Sequence, residues 1–547
     1  MTSSNDWSPP GPGQWTLDRS HYPGGTTPIS QWLIESGMES GLGRVFRELG
    51  APVAAVCARF VHGFMYTRTV PLVGASRSAT TLPPLFVLKA ASRLHPEFRR
   101  RNRTATQTLA QAPGPAIVER WTKELKPTID TRNREFGAVT LGELDDRRLG
   151  DHCAALLRHV VETFDLHFWL HGYDLGPIAR YVAFTKSHGI ATSNAVTALV
   201  GASPSTLQPR LELAAIRAAL GDAKPNDLAE LRSVSAEVAG LLDAYVSKRG
   251  NTLATGYDLN SLTLRELPET LFDSIMSAQP PSEADAGELA SENVRELVPE
   301  SAHGEFNARL AEAREVMDMR DDNGPTTVEH PMGLLRLALL EVGRRLVSAD
   351  RADRAEHAIE LAHNEVVPLL VEGRGPSRED LRARVTKRLA ESRLTPPVNL
   401  GPVEPSPPPS ILPGPLAEFA TAIQVSMFEL GMLGPDTTRD PLSGTGVGSE
   451  IYQGRARCAE TPEAAIDALE PGDVLVVRAT TPAFNAVLSI AGAVVTADGG
   501  PMSHAAVLAR ELGIAAVVGA RGALEIPDGA MVEVDPVAGV VRILPSV

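Results

Sequence analysis

The sequence predicts a multidomain chain, with a mainly α-helical N-terminal domain that holds a small β element and a C-terminal α/β domain. Three observations carry this. Apolar residues recur at helical spacing through much of the first 395 residues. A proline-dense stretch from Pro396 to Pro415 then interrupts the pattern. Beyond it, short apolar runs bounded by glycine alternate with a helical segment, as in parallel strands joined by helical crossovers. The boundaries read as 1–395 for the helical domain, 396–440 for a Pro-rich linker with a hinge helix, and 441–547 for the α/β domain.

Taken in order, Ala51 to Val70 is strand-like, and Arg59-Phe60-Val61-His62-Gly63-Phe64-Met65-Tyr66 places a glycine between β-prone residues. Phe86-Val87-Leu88 is assigned to the same small β element. The basic run Arg93, Arg99, Arg100, Arg101 and Arg103 reads as a solvated loop or helix face, with a docking surface for an acidic partner or phosphate as the alternative. Asp151 to Tyr173 reads as a helix carrying His152, His159, His167 and His171. His167 and His171 are four apart and share a face, a spacing that can chelate a metal. No cysteine or carboxylate stands at a complementary spacing, so no metal site is expected. Phe164, Phe168, Trp169 and Tyr173 crowd the same segment, as core or as an apolar pocket wall.

Further helices are expected at Leu211 to Leu220, Leu228 to Val246, Leu334 to Leu346 and Ala358 to Leu370. The acidic stretch Glu283 to Glu300 reads as a solvated face or mobile loop. Consecutive prolines favour extended polyproline geometry, so the stretch after Pro396 reads as a semi-rigid spacer. A short amphipathic helix around Leu416 to Leu430 follows.

The most informative segment runs from Thr496 to Gly513. Ala491 to Thr496 looks like a buried strand. Gly499 and Gly500 then permit a tight turn, Ser503 is a good N-cap, and a helix runs on to Gly513. His504 therefore falls in the first helical turn. The helix N-terminus carries a partial positive charge and free N–H groups, which disfavour imidazolium and favour an adjacent anion. A histidine that accepts a phosphoryl group and later gives it up needs both properties.

Bulk properties bound the function. A chain of 547 residues holds two or more domains. A net charge of −15 argues against non-specific nucleic-acid binding. Cys57, Cys153 and Cys458 form neither a metal spacing nor a disulfide framework, so they read as reduced thiols of a cytoplasmic protein. No apolar run approaches the ~18 residues of a membrane span, and the polar, Pro/Gly-rich start does not read as a signal peptide. No P-loop or Rossmann fingerprint is present.

Gly444 to Leu544 resembles the phosphohistidine, or mobile, domain of the phosphoenolpyruvate-utilising enzymes. The resemblance runs through Gly446 to Ala456, Glu470-Pro471-Gly472-Asp473-Val474-Leu475-Val476, Thr480-Thr481-Pro482, the Gly-Gly-x-x-Ser-His helix, Gly513 to Gly519, Asp528-Gly529 and Val534-Asp535. Ala515 stands where the family usually has proline, and Phe484 where it often has tryptophan. The resemblance implies a swivelling domain with His504 as the phosphorylated catalytic residue, Ser503 beside it, and Gly499 and Gly500 in the phosphate loop.

Upstream, Phe60 to Tyr66, Gly201 to Ser205, Gly256-Tyr257-Asp258 and Leu340 to Leu346 are similar to pieces of the substrate-binding domain of the rifampicin phosphotransferase group. Neither the ATP-grasp domain nor the β/α barrel of complete members is present in these residues. The resemblance thus implies a separate ATP-grasp partner chain that binds ATP and Mg2+ and forms AMP and phosphate, and a small-molecule hydroxyl acceptor, partly apolar, met by the N-terminal domain. No nucleic acid and no membrane are expected as partners. His62, His167 and His171 are the candidate acceptor-side bases. A non-catalytic binding or regulatory protein that keeps the mobile-domain fold is the alternative.

Overall fold

The structure is a computed structural model. It describes residues 6–18, 21–22, 24–78, 80–278, 286–429, 440–460, 464–465, 468–480, 484–488 and 490–545. The chain divides into two compact units. The first holds Met1–Arg180, Tyr257–Asn260 and Asn323–Gln424, and the second Tyr181–Gly256, Ser261–Asp322 and Val425–Val547.

In the first unit, four antiparallel strands pack with long helices. They are β1 (Trp15–Asp18), β2 (Val53–Val61), β3 (Phe64–Pro71) and β4 (Asn399–Leu400), in the order β2-β3-β1-β4. His62 and Gly63 form the two-residue turn between β2 and β3, with φ of 51° and 73°. Positive φ at both turn positions matches the right-handed twist of a hairpin, which explains the glycine. Phe86-Val87-Leu88 does not join this sheet. It lies in a helix, Leu85–Leu94, entered through Pro84, and Phe86 is 74% exposed. An exposed apolar side chain gives the segment no sheet face to fill, so the local helical preference prevails.

Part of the basic run is structural rather than solvated. Arg101 is buried, pairs with Glu97 and donates to the carbonyls of Phe46 and Ala51. The segment Ala358 to Leu370 is not one helix. It breaks into a 3-10 turn, Ala355–Glu360, and a π-turn, Pro368–Glu372. Glu365 accepts from the amide of Ala362 at 2.8 Å, a local cap that competes with continuing the helix, and Pro368 has no amide to donate.

The aromatic segment lies within the helix Asp146–Ser187. Phe164 and Trp169 are buried, and Trp169 Nε1 and the Tyr173 hydroxyl both donate to Glu48. These two rings are core rather than pocket wall. The Pro-rich stretch is fastened to its own unit. Asn399 and Leu400 pair with β1, the amide of Glu404 donates to Gln14 at 3.0 Å, and Ser92 donates to the carbonyl of Ile411 at 3.0 Å. Prolines lack donors, but their neighbours and carbonyls still bond. The short helix, Gly414–Gln424, continues as a π-turn, Val425–Glu429, and Leu430 lies outside the described residues.

In the second unit, the helical part includes Pro204–Ala219, Leu228–Ser233 and Ala236–Arg249. The last two replace the single helix expected from Leu228 to Val246. Ser235 accepts from the amide of Val238 and starts a new helix, which ends the previous one. The acidic stretch contains the helix Ala286–Glu296, and residues 281–285 lie outside the described set.

The same unit contains a seven-stranded sheet of β5 (Thr445–Val447), β6 (Tyr452–Ala459), β7 (Val474–Val477), β8 (Ala493–Thr496), β9 (Ala515–Val518), β10 (Met531–Asp535) and β11 (Val540–Ile543). Its order is β11-β10-β6-β7-β8-β9-β5. β6 to β9 are parallel neighbours, while β5, β10 and β11 add antiparallel edges. Leu475, Val477, Val494, Ala516 and Val518 fill the core on one face, and Val474, Val476, Ala493, Val495, Ala515 and Val517 fill it on the other. That strict alternation with both faces apolar is what a covered parallel sheet requires. No helix among the described residues is long and apolar enough to cross a membrane.

Candidate functional site

The site forms at the carboxyl end of β8, where an open α/β sheet presents its crevice. Thr496 closes the strand, and its hydroxyl donates to the carbonyl of Asp498 at 2.7 Å. Gly499 follows with φ of 116°, a conformation that a side chain disfavours. Its carbonyl lies so close to Gly519 that a Cβ there would meet it at 2.6 Å. The turn is thus pinned between β8 and the end of β9. Ser503 has extended backbone, and its Oγ accepts from the amide of Ala506 at 3.4 Å. The helix His504–Leu512 starts immediately, and Gly513 ends it in the left-handed conformation. Ala505, Ala506, Leu508 and Ala509 bury its inner face.

His504 is the first residue of that helix and is half-buried. Its Nδ1 lies 2.8 Å from Oγ1 of Thr480, a buried residue just beyond β7. Burial pushes its pKa down to about 4, so the ring is neutral near pH 7. With Nδ1 bonded to Thr480, Nε2 has no hydrogen-bond partner among the described residues. Thr480 belongs to a predicted segment, but no local signal links it to a histidine 24 residues away.

The helical part of the same unit supplies charge around this turn. Arg320 Nη2 donates to the carbonyl of Met502 at 3.2 Å, and its Nη1 donates to Asp321 at 2.6 Å. Glu511 accepts from the amide of Gly201 at 3.4 Å, and Thr206 donates to Asp321 at 3.3 Å. Arg510 is buried enough that its pKa falls to about 10. The sequence singled out Gly201 to Ser205 but gave no reason to connect Arg320 with the histidine turn.

The three candidate bases belong to the first unit. His62 sits in the hairpin turn, with Nδ1 3.0 Å from Glu391 and Nε2 3.0 Å from the carbonyl of Asp6. His167 and His171 face each other across one helical turn, their Nε2 atoms 3.2 Å apart. His167 Nδ1 is 3.2 Å from Thr327 Oγ1, and His171 Nδ1 is 3.1 Å from the carboxylate of Asp174. Burial drives the His167 pKa well below its ordinary value, helped by His171. His167 and His171 thus form one hydrogen-bonded group, from which His62 stands apart. In the π-turn Pro325–Glu329, which carries Thr327, Glu329 is buried, and desolvation pushes its carboxyl up to about 8. Pro325 and Pro331 around Thr-Thr-Val-Glu-His were the available sequence signal for an irregular helix here.

The domain that carries His504 has known relatives. Residues 469–539 match the PEP-utilising enzyme, mobile domain. The phosphoenolpyruvate synthase of Aeropyrum pernix is 46% identical over 92 residues, 17% of this chain and 11% of that protein. An uncharacterized protein of Mycobacterium tuberculosis is 36% identical over 217 residues, 39% of this chain and 22% of that protein. Chondramide synthase of Chondromyces crocatus is 25% identical over 572 residues, 97% of this chain and 14% of that protein. The matched stretches thus span less than a quarter of each of these relatives. The C-terminal domain is thus similar to the mobile domain of PEP-utilising enzymes, phosphoenolpyruvate synthase among them.

Proposed function

We propose that this chain is a phosphotransferase component that carries a phosphoryl group on His504. The observation behind this is the placement of the ring, the first residue of a helix with Nδ1 2.8 Å from the Thr480 hydroxyl. In the tautomer whose Nδ1–H donates to the Thr480 hydroxyl, the Nε2 lone pair attacks phosphorus. The helix N-terminus then stabilises the phosphate dianion on the ring. On a separate ATP-grasp chain holding ATP and Mg2+, Nε2 takes the β-phosphoryl group, AMP leaves, and the γ-phosphoryl group passes to water as phosphate.

In the second half-reaction, the acceptor hydroxyl attacks the phosphoryl group, the P–N bond breaks, and the hydroxyl proton passes to a base. Both ring nitrogens of His62 already have partners, Glu391 and the carbonyl of Asp6, whereas burial keeps His167 neutral and able to accept a proton, so the His167–His171 pair is the better candidate base. The acceptor is a small, partly apolar alcohol or phenol. The mobile domain swivels between the two reactions. With the Pro-rich stretch fastened as far as Ile411, its hinge belongs after that residue. The likeness to chondramide synthase spans both parts of the chain, which supports their acting together.

The test is phosphoryl loading from β-labelled ATP with candidate ATP-grasp proteins. Label should appear on the wild-type chain, be labile to acid, and be absent from His504→Ala. Label that persists on His504→Ala overturns the proposal. A wild-type chain that no such protein loads favours the binding or regulatory reading.

A further inference from the structure

We propose that the helix Leu85–Leu94 is a docking face for an acidic amphipathic helix of another polypeptide. The apolar residues of this helix face away from the core. Ser92 is its buried residue and donates to the carbonyl of Ile411, whereas Leu85, Phe86, Val87 and Leu94 are 53%, 74%, 42% and 73% exposed. Phe86, Ala90 and Leu94 follow one another at intervals of four, and Val87 and Ala91 lie beside them, so the five form one outward stripe, opposite Ser92. Both alanines are exposed as well. A contiguous apolar stripe in water costs free energy that a partner recovers by covering it.

Charge selects the occupant. From Pro71 to Ala112 the sequence holds seven Lys and Arg residues and one carboxylate, Glu97, in a chain whose net charge is −15. Glu97 is taken by Arg100 and Arg101. Lys89 and Arg93 on this helix, and Arg99 and Arg103 on the next, are exposed and have no carboxylate partner among the described residues. Arg93 donates to the carbonyls of Lys89 and Ile411, which leave its charge uncompensated. A helix that lays an apolar ridge over Ala90 and Ala91, between Phe86 and Leu94, and carries carboxylates on its flank meets both requirements. A second copy does not, because two-fold antiparallel pairing of the stripe sets Lys89 and Arg93 against their own counterparts. An anionic bilayer repels a chain of net charge −15, and the two alanines at the middle of the stripe give it little apolar side chain to bury.

The experiment titrates the full chain into two fluorescein-labelled helical peptides and reads anisotropy. Both peptides carry a Leu stripe, flanked by Glu in one and by Lys in its twin. The Glu-flanked peptide should bind at least about tenfold more tightly than the twin and should weaken as salt rises from about 50 to about 300 mM. Phe86→Ser/Leu94→Ser should weaken its binding about 10- to 100-fold. Lys89→Gln/Arg99→Gln/Arg103→Gln should flatten the salt dependence. All five side chains are exposed, so the melting temperature should not move. No binding of the Glu-flanked peptide, equal binding of the twins, or unchanged binding by the Phe86/Leu94 variant overturns the proposal. Sedimentation velocity of the chain alone and flotation with phosphatidylserine/phosphatidylcholine vesicles test the other occupants. A dimer or a vesicle association that Leu94→Glu abolishes gives the face to a second copy or to lipid, and overturns the proposal too. None of these readouts involves phosphoryl transfer, so failure here and failure of the phosphohistidine proposal are distinguishable.

Discussion

Acidification should leave His504 chemically competent far below the pH at which an ordinary histidine is lost. Burial lowers its pKa from the ordinary 6.5 to about 4. At about 1.4 kcal/mol per pH unit, that difference corresponds to about 3 kcal/mol in favour of the neutral ring. An ordinary imidazole is about 90% protonated at pH 5.5, whereas one with a pKa near 4 is only about 3% protonated. Diethylpyrocarbonate reacts with the neutral ring, so carbethoxylation of the His504 peptide, followed by mass spectrometry from pH 4.5 to 7.5, reads the population directly. A free histidine peptide in the same tube should slow roughly tenfold between pH 7.5 and 5.5, while His504 should keep more than about four-fifths of its rate. The sign for stability follows. Between about pH 4 and 6.5 the folded state binds fewer protons here than the unfolded state, so this group's contribution is complete above 6.5 and is lost as pH falls towards 4. If His504 reactivity halves near pH 6.5 together with the standard, the buried neutral ring and the argument built on it are wrong.

Other outcomes follow from the same physics. Thr480→Val removes the hydroxyl that orients His504, at a cost of about 1–3 kcal/mol to the reactive tautomer. Loading of His504 should slow about 10- to 100-fold with little change in melting temperature, and an unchanged loading rate would remove Thr480 from the mechanism. Glu329 is held protonated by burial, its pKa raised from 4.5 to about 8. Between those values the folded state binds more protons than the unfolded state, so the wild-type chain loses stability as pH rises, by up to about 1.4 kcal/mol per pH unit. Glu329→Gln should abolish that slope in urea unfolding compared at pH 5.5, 7 and 9, gaining on the wild type as pH rises; parallel pH profiles would refute a protonated Glu329.

The C-terminal half of the fold was legible because its signals are local. Short apolar runs marked β7, β8 and β9, and Gly499, Ser503 and Gly513 marked the turn, cap and stop of the His504 helix. The same logic failed where a local competitor was overlooked, as with Ser235 and Glu365, each of which binds a nearby amide and breaks a helix that apolar spacing alone would continue. Phe86 misled for a different reason. β-prone composition has meaning only where a sheet face awaits it, and here the side chain faces water.

By itself, the sequence determined that a histidine opens a helix after a glycine turn, because caps, turns and apolar runs act over a few residues. Only the tertiary structure decided what surrounds each ring. Thr480 reaches His504 across 24 residues, Thr327 reaches His167 across 160, and Glu404 binds Gln14 across 390. Hydrogen-bond partners so far apart in sequence are chosen by how the strands and helices pack, and the resulting burial sets which rings and carboxyls stay neutral.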